Sequence, residues 1–264
     1  MAEYKLSSKI IAAGEALDKG AFTFKKALLL CFFADGLWFA ANMVLGIVHL
    51  DSGFFSSCAY LGVVLFTAAR TSKDELRRIF VWRTMPVHIW AALLIMFFGF
   101  VILSSEFFNL FLTVFPIPEG LFGGKRESLL AAIVLGAFFP GFTEETFFRG
   151  ILLRRFCRVY SRRKALLFSA ALFGIMHLNP WQAVNTFIVG LFLGWVYCRY
   201  KSIWPCIFLH AYHNVLANFM LYTEKPYGAI FMHPLWVNIS GITLFGLGLL
   251  MLIVLYNHTE TKQE

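Results

Sequence analysis

Acid–base residues occur at three places in the second half of this sequence, each inside a long apolar run. Ionisable side chains are costly in lipid, so those found inside apolar spans are functional candidates. A carboxylate with an imidazole can orient and deprotonate water, and two polar donors can stabilise an oxyanion. The candidates along the chain are Glu144, Glu145, Arg149, His177, His210 and Asn214.

Helical spacing assigns directions to these side chains. Glu145 and Arg149 are four residues apart and share a face, so they can pair, whereas Glu144 projects about 100° away. Glu144 is therefore the candidate general base. His210 and Asn214 are also four residues apart, so both can donate towards one point, as an oxyanion site requires.

The depth of the candidates in the membrane indicates that they could meet. Glu144, His177 and His210 lie roughly 14 to 19 Å along their helices from the basic residues that end each span, at about 1.5 Å per residue. All three are close to the middle of the membrane when measured from the same face. One polar site inside a helix bundle is the expected result.

Composition requires a membrane around these elements. With 59% hydrophobic residues, 14% charged residues and 31 phenylalanines, the chain cannot fold as one soluble domain without exposing apolar surface. Its apolar runs are long enough to cross about 30 Å of hydrocarbon as helices. We predict an all-α polytopic membrane bundle of about eight transmembrane helices, near residues 27–48, 54–70, 87–104, 128–153, 165–178, 183–200, 203–222 and 234–257.

The net charge of +8 follows the positive-inside rule and does not indicate nucleic-acid binding. Basic residues crowd the N-terminus and the segments 70–83 and 149–164, which we predict to be cytoplasmic. Both termini are then cytoplasmic, and the apolar stretch Phe107–Phe115 becomes an external interfacial segment. The predicted location is a multi-pass position in a membrane.

The cysteines and the N-terminal segment add to the predicted organisation of the chain, which has four parts. Five scattered cysteines without a C-x-x-C pair indicate neither a disulfide framework nor a zinc knuckle. Near the N-terminus, apolar residues recur at helical spacing among lysines, which suits an interfacial amphipathic helix, although a frayed tail fits equally well. The parts are a cytoplasmic amphipathic segment (1–26), N-terminal transmembrane helices with the external interfacial segment (27–127), a catalytic helical core (128–222), and a last transmembrane helix with a short cytoplasmic tail (223–264).

The motifs Glu-Glu-x-x-x-Arg at 144–149, Phe-x-x-x-His at 173–177 and His-x-x-x-Asn at 210–214 occur in this order on successive spans. Together they resemble the type II CAAX prenyl endopeptidase and bacteriocin-processing (Abi, CPBP) family of glutamic intramembrane peptidases. The resemblance covers about residues 128–220. Its context includes the run from His177 to Gln182, then Gly190, Gly194, and Ser202 to Pro205.

The resemblance implies an eight-helix fold and peptide-bond hydrolysis inside the membrane. In it, Glu144 assisted by His177 activates water, and His210 with Asn214 stabilises the oxyanion. The pair formed by residues 145 and 149 would support that site. The implied partners are the lipid bilayer and a membrane-associated peptide or protein substrate, with no nucleic acid. In a bacterium the substrates would be secreted-peptide leaders or C-terminal sorting signals, and in a host that prenylates proteins they would be prenylated C-terminal peptides.

Alternatives remain at this stage. Adjacent glutamates are common at cytosolic span ends, and His177 before Asn179 and Pro180 could cap a span. No cofactor is predicted, but Glu144, His177 and His210 are ligand types that zinc accepts, so a metal-dependent peptidase is an alternative. A His-Glu-x-x-His motif is absent, and Asp35 is the one intramembrane aspartate, which argues against site-2 zinc and presenilin-like chemistries. A non-catalytic adaptor or transporter on the same scaffold is the remaining alternative.

Overall fold

A computed structural model describes residues 23–33, 36, 61–62, 77–117, 134–223 and 234–260. Within these ranges the chain is helical and contains no strand, which confirms the predicted all-α class. The predictions for residues 1–22, for most of the spans 27–48 and 54–70, and for Asp35 lie outside the described residues.

Seven α-helices and two π-helical segments have defined bounds in the described part of the chain. We number the α-helices α1 to α7 and the π-helical segments π1 and π2. In chain order they are α1 (Val87–Val114), π1 (Val134–Phe138), α2 (Phe139–Glu145), π2 (Thr146–Leu153), α3 (Arg154–Val159), α4 (Arg162–Ile175), α5 (Pro180–Tyr200), α6 (Trp204–Thr223) and α7 (Pro234–Glu260).

Three stretches of helix in the described ranges are long and apolar enough to cross a membrane. They are Val87–Val114, Pro180–Tyr200 and Leu235–Leu255, with mean hydropathies of 2.3, 1.3 and 2.2. Each has the length that about 30 Å of hydrocarbon requires. The count of eight spans and the cytoplasmic orientation of the termini stay predictions.

The proposed external segment Phe107–Phe115 is not a separate element. Helix α1 continues without a break to Val114, so the predicted span and the predicted interfacial segment form one helix, and the external position of residues 107–115 stays a prediction. The physical reason is that nothing in the sequence stops the helix before Pro116, the first residue that cannot continue it. At about 1.5 Å per residue, 28 residues extend about 42 Å, more than the hydrocarbon thickness.

The chain divides into two compact units, Met1–Val81 with Phe139–Ile207 and Trp82–Phe138 with Phe208–Glu264. In the first unit, α4 and α5 pack closely because glycines leave room between them. A Cβ atom on Gly174 would lie 2.7 Å from the carbonyl oxygen of Ala183, and one on Gly190 would lie 3.1 Å from Cδ1 of Phe173. These positions tolerate glycine alone without a shift of their neighbours.

A tight turn connects α4 to α5 in the first unit. Leu178 adopts φ 50°, the left-handed region that a non-glycine residue seldom enters. The side chain of Asn179 then caps α5, because its Oδ1 accepts hydrogen bonds from the backbone N–H groups of Trp181 (3.0 Å) and Gln182 (3.3 Å). Pro180 follows at the first helical position, where its missing N–H costs nothing. This turn positions His177.

The second unit is built around the pairing of α1 with α7. Cβ atoms on Gly99 and Gly248 would collide with the backbone nitrogens of Phe245 and Met96 respectively. The two long helices therefore approach to backbone contact at small residues, as membrane helices commonly do.

Candidate active site

The centre of the first unit is a buried ion pair between Glu145 and Arg149. Both side chains are fully buried, and Oε1 of Glu145 lies 2.6 Å from a guanidinium nitrogen of Arg149. The second terminal nitrogen of Arg149 donates to the carbonyl oxygen of Gly190 at 3.0 Å. The predicted pairing is therefore confirmed, and the pair also joins π2 to α5.

The helix that carries this pair departs from α-helical geometry directly after Glu145, so Arg149 lies in the wider turn. Residues Thr146–Leu153 form a π-helical segment, which the sequence pattern did not predict. The side chain of Ser169 donates to the carbonyl oxygen of Phe148 at 3.1 Å, so α4 stabilises a backbone acceptor of this segment. π-Helical turns are rare and often occur at functional sites. The wider turn starts directly after the two adjacent glutamates.

His177 is held at the end of α4 with a defined tautomer. Its Nδ1 lies 2.8 Å from the carbonyl oxygen of Phe173, one turn earlier. A carbonyl oxygen can only accept, so Nδ1 carries the proton and donates. In the neutral ring, the lone pair is then on Nε2. This is the nitrogen that a neutral imidazole needs to accept a proton or a hydrogen bond from water.

Phe173 connects the buried ion pair to His177. The guanidinium carbon of Arg149 lies 4.7 Å from the centre of the Phe173 ring, a cation–π contact. The His177 ring meets the same phenyl ring edge to face, at 5.2 Å between centroids. The sequence motif included Phe173 without giving it a role. In the structure the Phe173 ring packs against both the guanidinium of Arg149 and the imidazole of His177.

Glu144 lies in α2, in the same unit as His177. Its side chain is half-buried, while its neighbours Thr143 and Glu145 are buried. The two glutamates therefore differ in accessibility. Glu145 is committed to an internal ion pair, whereas Glu144 is partly exposed.

The second pair of candidates lies in the second unit, on α6. His210 is buried, and Asn214 is half-buried four residues later. The Oδ1 atom of Asn214 lies 3.4 Å from Nδ1 of His213. An amide oxygen can only accept a hydrogen bond, so His213 is the donor. The amide nitrogen of Asn214 is therefore directed away from His213.

Asn218 adds a polar contact one turn further along α6. Its amide nitrogen donates to the backbone carbonyl of Asn214 at 2.8 Å. A Cβ atom on Gly136 would lie 3.3 Å from that nitrogen, so π1 approaches Asn218 closely at this glycine. The sequence analysis missed Asn218. The spacing Asn214-x-x-x-Asn218, which continues the series that starts at His210, was the available signal.

The candidates thus fall into two sets. The first unit holds Glu144, Glu145, Arg149 and His177, and the second holds His210 and Asn214. Among the described residues there is no cluster of three or more His, Cys, Asp or Glu side chains that could hold a metal ion.

Comparison with known proteins bears directly on these motifs. Residues 126–216 match the family model described as type II CAAX prenyl endopeptidase Rce1-like. The predicted resemblance is confirmed. The matched region contains all the candidate residues and all three motifs, and the family to which it is similar is one of membrane-embedded proteases. No curated protein and no solved structure matches the chain.

Proposed function

We propose that this Rce1-like protein is an intramembrane endopeptidase of the glutamic type. Glu144 accepts a proton from a water molecule that attacks the peptide carbonyl carbon, and His177 orients that water through Nε2. The resulting oxyanion accepts hydrogen bonds from His210 and from the amide of Asn214. Glu144 then returns the proton to the leaving amine as the C–N bond breaks.

The observation that carries this proposal is the network that fixes the His177 tautomer. An imidazole that serves as a base or orienter needs one nitrogen protonated and anchored and the other available. The bond from Nδ1 to the Phe173 carbonyl meets this requirement. The Phe173 ring packs edge to face with the imidazole, and Arg149 stacks on the same phenyl ring. A helix-capping role for His177 would not require a buried cation stacked on the same phenyl ring.

The proposed substrate is a membrane-associated peptide or protein. In the proposed setting of a bacterial inner membrane, secreted-peptide leaders and C-terminal sorting signals are the favoured substrates. The proposed depth of Glu144 and His210, near the middle of the membrane, suits a peptide bond that enters from the bilayer.

The test is peptide cleavage by the full-length protein in lipid vesicles, with a library of apolar C-terminal and leader peptides. Glu144→Gln and His177→Ala should each lower kcat by at least about a hundredfold, because each removes a group that moves or orients the proton. Glu106→Gln and His88→Ala are matched controls outside the site and should cleave like the wild type.

Three outcomes would contradict this proposal in different ways. If Glu144→Gln cleaves like the wild type, the general base is another group. If a strong chelator abolishes wild-type cleavage and zinc restores it, the metal-dependent alternative replaces the glutamic mechanism. If the wild type binds the peptides and releases them uncut, the adaptor alternative is supported.

A further inference from the structure

The second unit contains a cavity of about 520 Å³ that the proposed chemistry does not use. This volume lies within the range of about 300–1,000 Å³ that is typical of small-ligand sites. Its described lining comes from α1, α6, the last residue of π1 and the segment before α1. The lining residues are Trp82, Trp90, Leu94, Phe138, Phe208, Ala211, Tyr212 and Val215.

The cavity lies on a different face of α6 from the proposed oxyanion residues. Its four α6 residues are spaced at 0, 3, 4 and 7 positions from Phe208 and so form one stripe. At 100° per residue, His210 and Asn214 project about 110° to 150° away from the centre of that stripe. The cavity is therefore separate from the surface of α6 that would face the reacting peptide.

The cavity has an apolar floor and a mostly aromatic rim. Ala211, 1% exposed, forms the floor, and its small side chain creates the space. The rim residues Trp82, Phe138 and Leu94 are 56%, 50% and 40% exposed. Trp90 and Phe208 close one side with an edge-to-face contact at 5.7 Å between ring centres. The opening thus faces the surroundings of the protein.

Water is a poor occupant for this cavity. A bound water molecule needs two to four polar partners, whereas almost all of the accessible surface of the described lining is apolar, although two tryptophans and one tyrosine belong to it. Among spanning helices, the surroundings of an exposed rim are lipid hydrocarbon. A hydrocarbon chain fits both the lining and the opening.

The depth of the cavity indicates which part of the bilayer supplies that chain. Trp90 and Leu94 lie in the first two turns of α1, about 5 to 10 Å from its start, and Phe208 to Val215 lie about 6 to 17 Å from the start of α6. Arg83 and Lys201 precede these two helix starts. The cavity therefore extends from the basic interface to about the middle of the hydrocarbon, the depth of one leaflet.

Charge identifies the headgroup. Arg83 is exposed and directly follows Trp82 on the rim. The sequence from residue 77 to residue 90 contains three arginines and no acidic residue. A basic, exposed group at the interface attracts anionic lipid headgroups.

We propose that this cavity is a binding site for one acyl chain of an anionic phospholipid from the leaflet at the basic face, with its headgroup beside Arg83. The site does not depend on the peptidase proposal, because none of its residues belongs to the proposed catalytic set. Its function is to hold a bound lipid against α6 on the side opposite the oxyanion residues.

The experiment is native mass spectrometry of the full-length protein released from vesicles of dioleoyl phosphatidylglycerol or dioleoyl phosphatidylcholine. The wild type should retain one phosphatidylglycerol more tightly than phosphatidylcholine. Ala211→Phe fills the floor, and each methylene lost from the cavity weakens binding roughly fourfold. Displacing two or three methylenes should therefore reduce retention of phosphatidylglycerol by at least about tenfold.

Controls separate this effect from general damage. Leu94→Phe fills the cavity from an exposed rim position, so it tests the site even if Ala211→Phe does not fold. Ala91→Phe, exposed on the same helix and outside the lining, should retain lipid like the wild type. Arg83→Gln should reduce the preference for phosphatidylglycerol roughly fivefold, whereas Arg78→Gln should not.

The proposal is overturned if both cavity-filling variants retain phosphatidylglycerol like the wild type, or if the wild type does not distinguish the two headgroups. It is also overturned if the cavity is the substrate's own site. In that case an apolar peptide would displace the bound lipid from the wild type, and the filled variants would lose peptide binding.

Discussion

At the residue scale, the Glu145–Arg149 ion pair also contacts the backbone of α5 and the Phe173 ring beside His177. A buried charge is tolerated when it is paired and its other donors are satisfied. The terminal nitrogens of Arg149 meet this condition through Glu145 and the Gly190 carbonyl, and its guanidinium also stacks on Phe173. Its buried Nε has no hydrogen-bond partner among the described residues. The same contacts fix the backbone and the ring against which His177 rests. The ion pair therefore acts as a positioning element for the imidazole.

Removing one member of the pair should cost more stability than removing both. Glu145→Leu alone or Arg149→Met alone leaves an uncompensated buried charge, for which about 3–5 kcal/mol is expected. The double variant removes that charge and should be less destabilised than the sum of the single variants. Unfolding in mixed detergent micelles measures all four members of the cycle. Strict additivity would mean that the two side chains do not interact.

At the element scale, glycine spacing decides how closely the helices of the first unit approach. A Cβ atom on Gly174 would meet the backbone of α5, which cannot move independently of its helix. A Cβ atom on Gly194 would instead meet Cδ1 of Leu166, the end of a flexible side chain. The two glycines therefore restrict α4 and α5 in physically different ways.

Gly174→Ala should destabilise the protein by about 1–3 kcal/mol, because overpacking against backbone forces the helices apart. Gly194→Ala is the matched control and should cost clearly less, since Leu166 can change rotamer. Thermal unfolding in detergent compares the two variants. Equal losses would show that the contact with the Ala183 carbonyl does not limit the packing.

The π-helical segment is the second feature at this scale. It follows Glu145 directly and its Phe148 carbonyl is bound by Ser169. Because α- and π-helices bury the same residue types, hydrophobic periodicity over eight residues does not distinguish them. This is why the sequence predicted the right element and the right pairing but not the wider turn.

At the scale of the whole molecule, the basic segments predict the orientation in the membrane. Ser161 is exposed before α4, and Leu178, 59% exposed, lies in the turn after it. If α4 crosses from the cytoplasm outwards, these two positions lie on opposite faces of the membrane. They are therefore suitable reporters of topology.

In a variant without native cysteines, Ser161→Cys should react with a membrane-impermeant maleimide only from the cytoplasmic side. Leu178→Cys should react only from the outside. Labelling of intact cells and of inverted vesicles measures both. Labelling of both positions from one side would overturn the predicted crossing of α4, and a reversed pattern would overturn the predicted orientation.

The sequence by itself determined the all-α membrane class, the three motifs and the pairing of Glu145 with Arg149. Hydrophobic run length, family-specific spacing and four-residue helical separation are local properties, and each can be read from neighbouring residues. It did not predict that α1 continues to Val114, because the apolar stretch after Ser105 was interpreted from its length and not from the absence of a helix stop before Pro116.

Only the tertiary structure decided the contacts between distant residues. Arg149 and Gly190 are 41 positions apart, and the stacking of Arg149 on Phe173 crosses between helices. The cavity above Ala211 likewise depends on how α6 packs with α1. Such features arise from the packing of whole helices against one another. A pattern confined to one helix specifies which residues share a face, but not which neighbour that face will meet.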